Sequence, residues 1–190
     1  PASQAAQNVA SLKGATFCAA CDAGQYMNDS VCETCPAGWS SIYGQSECTE
    51  CPKGTYANAA ENATACTLCP AGKHGNASLV AAERLTETAA CVNCSEGTYS
   101  SAKGVAEAAG CNNCPPGKFS SDEGNKDASN CIECAANTYQ ADAGQTSCDP
   151  CDNGTASEKG ATFCAACDAG KYMNNSVCES CPAGWSSIYG

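Results

Sequence analysis

The chain has 190 residues, of which 20 are Cys and 35 are Ala, and its formal net charge is −11. Leu, Ile, Val and Phe together number only 16, far below the roughly 20% of a chain at which a packed hydrophobic core becomes plausible. This composition argues against a conventional globular enzyme. The excess of 20 acidic over 9 basic residues excludes a nucleic-acid groove or an anionic membrane surface as partner, and no segment is apolar enough to span a bilayer.

Every cysteine belongs to a C-x-x-C pair, and successive pairs start 14 to 25 residues apart. Such regular recurrence predicts a tandem array whose loops differ in length. Covalent links between the cysteines would replace the missing core. The pairs are Cys18/Cys21, Cys32/Cys35, Cys48/Cys51, Cys66/Cys69, Cys91/Cys94, Cys111/Cys114, Cys131/Cys134, Cys148/Cys151, Cys164/Cys167 and Cys178/Cys181.

The segment that follows each pair has a pattern of its own. A Gly, or Asn137 in one repeat, lies three positions after the second Cys, and these residue types favour a left-handed backbone. Most repeats carry a ring two positions further on, where we expect it to serve as minimal core. A second turn position follows, four residues before the next pair. The first turn positions are Gly24, Gly38, Gly54, Gly72, Gly97, Gly117, Gly154, Gly170 and Gly184; the rings are Tyr26, Tyr56, Tyr99, Phe119, Tyr139 and Tyr172; the second turn positions are Gly14, Asn28, Gly44, Asn62, Gly144, Gly160 and Asn174, with Glu87, Glu107 and Asp127 in the longer loops.

Each unit therefore predicts a small β-hairpin closed at its base. One such hairpin is not stable alone, but stacked neighbours can share rings and sulfurs. The predicted fold is small and disulfide-rich, mainly β-hairpin and coil, an elongated tandem-repeat rod without a conventional hydrophobic core in which neighbours contact only neighbours. The longest interior segment without Cys, residues 70–90, is predicted to be an enlarged surface loop in which Leu79 to Arg84 has the length of one helical turn.

A longer repeat overlies the short one. Residues 13–44 recur at 159–190, an offset of 146, with 29 of 32 positions identical. We therefore divide the chain into an N-terminal segment, residues 1–13, and the tandem repeats, residues 14–190. Gly190 falls in the middle of a motif that continues after Gly44, so we expect the natural chain to continue.

Two chemistries are open to the cysteines. The spacing suits zinc ribbons, in which four thiolates hold the metal, and it suits disulfides of an extracellular protein. The continuous array and six N-x-S/T sequons favour disulfides. N-linked glycans are then the only non-protein groups expected, with no metal or other cofactor. The sequons are Asn28, Asn62, Asn76, Asn93, Asn153 and Asn174.

No constellation of catalytic residues is present. His74 is the only histidine and occupies a ring position, so a Ser/His/Asp or Cys/His set cannot be assembled. The carboxylates Asp22, Glu33, Glu47 and Glu50 are scattered and do not follow the EF-hand pattern. A thioredoxin-like role would need one distinctive C-x-x-C in a βαβ context. The sequence thus predicts a protein that is not an enzyme.

The strings CPAGWS, CPKGTY, CSEGTYS and CPPGKFS, with GQSEC and GQTSC closing the loops, resemble the ephrin-receptor-like cysteine-rich repeat. They are also similar to the first submodule of tumour-necrosis-factor-receptor repeats, and long arrays of this kind resemble protist surface antigens and surface filaments. The resemblance implies that the Cys before each Gly-x-aromatic segment bonds the Cys that ends it. The implied pairs are Cys21–Cys32, Cys35–Cys48, Cys51–Cys66, Cys69–Cys91, Cys94–Cys111, Cys114–Cys131, Cys134–Cys148, Cys151–Cys164 and Cys167–Cys178.

Cys18 and Cys181 are left without local partners under this pairing. A partner for Cys181 beyond Gly190, or a Cys181–Cys18 bond between successive subunits, would accommodate them.

The sequence predicts a structural, secreted or cell-surface glycoprotein that self-associates into a homopolymeric filament or coat. The alternative is the ectodomain or stalk of a cell-surface receptor or adhesin. Receptor repeats usually diverge to fit a ligand, whereas the copies at 13–44 and 159–190 are almost identical.

Overall fold

The structure is a computed structural model that describes residues 9–10, 19–58, 62–174 and 177–187. Its regular elements are antiparallel two-stranded ladders joined by turns, as the pattern of turns and rings predicts. The fold is therefore small, disulfide-rich and mainly hairpin and coil. The strands are β1 Val9–Ala10, β2 Ala19–Ala20, β3 Gln25–Asn28, β4 Val31–Thr34, β5 Trp39–Ser40, β6 Thr49–Glu50, β7 Thr55–Tyr56, β8 Thr67–Leu68, β9 Lys73–Gly75, β10 Cys91–Asn93, β11 Thr98–Tyr99, β12 Asn112–Asn113, β13 Lys118–Phe119, β14 Ile132–Glu133, β15 Thr138–Tyr139, β16 Asp149–Pro150, β17 Thr155–Ala156, β18 Ala165–Ala166, β19 Lys171–Asn174 and β20 Val177–Ser180.

Strand β1 pairs with β2, and each later odd-numbered strand pairs with the strand that follows it. The nine ladders from β3/β4 to β19/β20 are called hairpins 1 to 9. In every one of them the second strand contains the two residues between the cysteines of a C-x-x-C pair. The segment that links one closed loop to the next is therefore itself a paired strand.

The chain forms two compact units. The first comprises residues 1–92 and 102–110, and the second comprises residues 93–101 and 111–190. Hairpins 1 to 4 belong to the first unit, except for Asn93 at the end of β10, and hairpins 6 to 9 belong to the second. Hairpin 5 contributes its tip to the first unit and its two strands to the second.

All ten first-turn positions have the left-handed backbone that the sequence predicts. Asn137 has φ +65°, and the nine glycines range from +73° to +87°. Each turn is closed by a backbone hydrogen bond across it, as from Trp39 N–H to the Pro36 carbonyl at 3.1 Å. The N–H of the first-turn residue itself takes no part in this bond, and at Gly38 it donates to the Ala57 carbonyl of the following hairpin.

Backbone hydrogen bonds join successive hairpins within each unit. In hairpins 1, 2, 5, 6 and 7 the first-turn N–H donates to the carbonyl of the residue after the ring position of the next hairpin, as from Gly97 to Ser120 at 2.8 Å. The second-turn N–H of that next hairpin donates back, as from Gly124 to the Cys94 carbonyl at 2.8 Å. Because these bonds use only main-chain atoms, the stack tolerates variation in the side chains.

Hairpins also contact the next but one, so the expectation that neighbours contact only neighbours is wrong. A Cβ built on Gly117 in hairpin 6 would lie 2.2 Å from the carbonyl oxygen of Gly160 in hairpin 8. Side chains make the same connection: Lys159 lies 3.0 Å from Glu133 in hairpin 6, and in the first unit Lys53 lies 2.9 Å from Glu107. Two hairpins that are separated by one other hairpin in the sequence are therefore close enough to be in contact.

The core consists of sulfur rather than rings. All buried hydrophobic residues that the structure describes are Cys or Ala. The rings of Tyr56, Tyr99, Phe119 and Tyr139 are half-buried, and Tyr172 is exposed. The prediction that the rings serve as minimal core is confirmed for Tyr56, which packs against the buried cluster of Cys69, Ala90 and Cys91, and is wrong for the exposed Tyr172.

The longer loops close with short helical turns instead of the second turn expected at Glu87, Glu107 and Asp127. Helix α1 covers Glu87–Ala90, and the Thr86 side chain accepts a hydrogen bond from Ala89 N–H at its start. Single 3-10 turns cover Ala108–Gly110 and Ala128–Asn130. The left-handed residues of hairpins 5 and 6 are Gly104 and Gly124, three positions earlier than predicted. In hairpin 1 they are Asp29 and Ser30 rather than Asn28, and Gly14 lies outside the described residues.

We expect Gly117→Ala to destabilise the second unit much more than Gly160→Ala. Both residues have positive φ, so each substitution costs about 1–2 kcal/mol from the backbone alone. A Cβ built on Gly160 would make only ordinary contacts, at 3.8 to 3.9 Å from side-chain carbons of Glu133, whereas a Cβ on Gly117 overlaps the main chain of hairpin 8. That overlap should add about 1–3 kcal/mol. Denaturant midpoints of the disulfide-intact variants measure the difference, and equal midpoints would contradict the described stacking.

Candidate functional site: the disulfide ladder and its surface

Nine disulfides close the nine hairpins, and they are the pairs that the resemblance implies. Their Cα–Cα distances lie between 5.4 and 5.9 Å, inside the usual range for disulfides. In eight of the nine bonds the Cys that opens the loop is the more deeply buried partner, and in Cys151–Cys164 both are half-buried. Cys51, Cys69, Cys94, Cys114 and Cys134 are fully buried. The sulfurs thus form the interior of the stack.

The structure describes one of the two cysteines that the implied pairing leaves without a local partner. Cys181 is a half-buried free thiol, and Cys18 lies outside the described residues. The bond between subunits that was considered for them stays a prediction.

The zinc interpretation lacks the ligands it needs. A sulfur in a disulfide is not a thiolate and cannot coordinate zinc in that form. Within the described ranges, no group of three or more His, Cys, Asp or Glu side chains is placed to hold a metal ion. The geometry is that of a crosslinked module without a metal centre.

His74 and the carboxylates considered as calcium ligands either make local hydrogen bonds or are exposed to solvent. His74 is half-buried in β9, with Nδ1 2.9 Å from the Gly75 carbonyl. Glu33 accepts hydrogen bonds from the Tyr26 hydroxyl at 3.2 Å and from the Asn28 amide at 3.1 Å. Asp22, Glu47 and Glu50 are exposed. The structure does not gather these groups into one site.

The six sequon asparagines differ in how free their side chains are. Asn28, Asn62, Asn93 and Asn153 are exposed, whereas Asn76 and Asn174 are half-buried. The Asn28 and Asn174 amides donate to Glu33 and Glu179, Asn62 accepts from Thr34, and Asn76 accepts from the Ser78 N–H. Asn93 in hairpin 4 faces Gly124 of hairpin 6. Asn153 has no such contact among the described residues, so it is the least hindered of the six. Glycosylation at these sites stays a prediction.

Surface charges make short pairs along the ladder. The Lys159 amine, assisted by Lys118, holds the pKa of Glu133 below its usual value. The carboxylate of Glu33 raises the pKa of the Tyr26 hydroxyl that donates to it. Because these groups are exposed and solvent screens them, each pair stabilises the fold little. The surface chemistry is that of a hydrated acidic protein.

Arg84 is a structural residue that the sequence reasoning missed. It is the only arginine in the chain and is 6% exposed. Its guanidinium donates to the Cys51 and Leu79 carbonyls and lies 3.7 Å from the Glu50 carboxylate. The 70–90 segment is therefore more than a surface loop: a 3-10 turn at Ala81–Glu83 brings Arg84 inward against hairpin 3. A lone arginine among eight lysines was the signal that could have indicated it.

We expect Arg84→Met to destabilise the first unit by about 2–4 kcal/mol, because the buried Cys51 carbonyl and the half-buried Leu79 carbonyl lose their donor. Lys103→Met is the matched control, since Lys103 is exposed in the same unit and should change little. Denaturant midpoints of both variants, with disulfides intact, check this expectation. A neutral Arg84→Met would mean that water or another group satisfies those carbonyls.

The comparisons with known proteins agree with this geometry. The family model described as tyrosine-protein kinase ephrin type A/B receptor-like matches residues 38–78 and 124–162. The chain contains ephrin-receptor-like cysteine-rich repeats. These repeats are non-catalytic modules, and disulfide-rich arrays of this type point to an extracellular or secreted setting. A search of curated proteins found no match to the chain. No helix among the described residues is long and apolar enough to cross a membrane.

Proposed function

We propose that the chain is a structural extracellular glycoprotein, the subunit of a disulfide-stapled fibril or cell-surface coat. The observation that carries the proposal is the combination of a closing disulfide in each hairpin with main-chain hydrogen bonds between hairpins. Both features stabilise the folded chain, and neither provides a chemically reactive group. An assembly that must persist outside the cell needs this combination.

The near-identical ends of the chain support repetition of one surface. Hairpins 1 and 9 have the same register over four residue pairs. The Tyr26 hydroxyl contacts Glu33 at 3.2 Å, and Tyr172 contacts Glu179 at the same distance. Equivalent surfaces that recur along a chain favour regular association.

The topology of the crosslinks also favours resistance to proteases. A cut inside a closed loop leaves both fragments joined by the disulfide. A cut that separates the array must fall between the cysteines of a C-x-x-C pair. Those residues lie in paired strands, so their hydrogen bonds to the partner strand must break before a protease can cut there. Limited digestion should therefore trim at most the segments outside the array, leave residues 21–178 of the oxidised protein as one piece on a non-reducing gel, and release their fragments only after reduction. Early release of fragments without reductant would contradict this expectation.

Electron microscopy of the oxidised, glycosylated full chain tests the proposed function. We expect filaments or sheets with a regular repeat, and their loss when the same protein is reduced. The description of the matching family, which names receptors, favours the alternative of a receptor or adhesin ectodomain. A chain that stays monomeric at high concentration and binds a specific ligand would establish that alternative instead.

A further inference from the structure

One aspartate differs from all the others in its place in the disulfide ladder. Nine disulfides close the loops from Cys21 to Cys178, and a backbone cut inside a closed loop leaves both fragments joined. Only a cut in one of the C-x-x-C links between the loops separates the array. Asp149 lies in such a link, between Cys148 and Cys151. The other aspartates of the chain all lie in closed loops: Asp22, Asp29, Asp122, Asp127, Asp142, Asp152 and Asp168.

Asp149 also belongs to the only Asp-Pro dipeptide in the chain, with Pro150. The two residues form β16, in which Asp149 pairs with Tyr139 and is exposed. The residue after the first Cys of the link is exposed in all nine hairpins, so the exposure of Asp149 follows from its place in the repeat. Pro150 has no N–H, and its nitrogen therefore carries no hydrogen bond of the ladder.

We propose that the Asp149–Pro150 bond is an acid-labile link, the point at which acid cuts the array in two. A carboxyl oxygen of Asp149 attacks the main-chain carbonyl carbon of the same residue and closes a cyclic anhydride. The bond from that carbon to the Pro150 nitrogen breaks. The nitrogen takes up the carboxyl proton and one proton from the acid, and it leaves as a secondary ammonium group. Water then opens the anhydride, so the net reaction consumes one water and needs no oxidant or enzyme.

The cut removes the covalent continuity of the array and leaves its stacking in place. None of the nine disulfides spans this link. The two parts are then held by hydrogen bonds, as from Asn137 N–H to the Ser157 carbonyl at 2.9 Å and from Gly160 N–H to the Cys134 carbonyl at 2.8 Å. Acid therefore converts a covalently continuous array into two pieces that force or denaturant can separate. The inference rests on the disulfide pairing and not on the proposed function.

The first control removes the labile dipeptide. Pro150→Ala leaves Asp149 in place but gives the following nitrogen an ordinary secondary amide. Ala166 occupies the corresponding position of β18 in hairpin 8, so we expect the variant to fold.

The second control moves the same dipeptide into a closed loop of the same hairpin. Ala143→Pro in the Pro150→Ala background creates an Asp-Pro dipeptide at Asp142, inside the loop that Cys134–Cys148 closes. Ala143 is exposed, and its N–H has no acceptor among the described residues, so the substitution removes no hydrogen bond. If this variant does not fold, Glu123→Pro creates the same dipeptide at Asp122, inside the loop of hairpin 6.

The experiment incubates the oxidised full chain, with its free thiols alkylated, in dilute acid. Disulfide exchange needs thiolates, so the disulfides persist at this pH. Products are separated on a denaturing gel without reductant and identified by mass spectrometry. We expect the full-size band of the unsubstituted chain to be replaced by residues 1–149 and 150–190. Pro150→Ala should stay at full size over the same period.

The variant with the relocated dipeptide should be cut at Asp142 and yet stay at full size until it is reduced. Three results would overturn the proposal: an uncut Asp149–Pro150 bond under conditions that cut the relocated dipeptide, separation of the array at another residue first, or pieces of the unsubstituted chain that stay joined after the cut. Absence of filaments would count against the proposed function and would leave this inference unaffected.

Discussion

Complete reduction should increase the fully stretched length of the chain by about 400 Å, measured between handles at its two ends in a single-molecule pulling experiment. With the disulfides intact, force passes from Cys21 to Cys178 through nine S–S bonds and the short C-x-x-C links, and the loops bear no load. That path can reach only about 140 Å, against about 550 Å for the same segment after reduction. The oxidised array is thus a nearly inextensible tether whatever its resting shape.

Removing single disulfides provides matched controls for this prediction. Changing Cys69 and Cys91 to Ser frees a sequence separation of 22 and should add about 70 Å. The same change at Cys167 and Cys178 frees a separation of 11 and should add about 30 Å. Gains that did not scale with loop length would show that the described pairing is wrong.

Reduction and alkylation in the absence of force should abolish the ordered structure. The chain has too few large apolar residues to form a core, and each closed loop contributes on the order of 3 kcal/mol in the chain-entropy model. Amide hydrogen exchange at Gly97, Gly117 and Gly144 reports the loss directly, since their N–H groups bond the neighbouring hairpins. We expect these amides to become unprotected together with the loss of the far-ultraviolet circular dichroism signal.

Treatment with a metal chelator in the absence of reductant is the control for the alternative that the cysteines bind zinc. The oxidised protein should keep its amide protection in the chelator, because the described cysteines apart from Cys181 are held as disulfides. Unfolding by the chelator alone would favour the zinc interpretation. Retention of structure after full reduction would contradict the disulfide ladder itself.

Local features were open to prediction from the sequence because they depend on a few neighbouring residues. The left-handed turns follow from Gly or Asn137 at one position of each repeat, and the short strands follow from the turns on either side of them. The predictions for longer loops were less accurate. In most hairpins a single left-handed residue reverses the chain before the next cysteine pair. In hairpin 6 this reversal is shared by Gly124, which has the left-handed backbone, and a 3-10 turn at Ala128–Asn130 that begins directly after Asp127.

The sequence by itself determined that this protein needs covalent crosslinks, because its composition supplies too few large apolar residues for a hydrophobic core, and the spacing of cysteines determined the repeating hairpin. Only the tertiary structure decided that hairpins touch the next but one, that sulfur rather than the rings fills the interior, and that Arg84 is buried. Stacking distances and main-chain hydrogen bonds between hairpins depend on where the backbone runs in space. The order of side chains along the sequence does not specify these distances and hydrogen bonds.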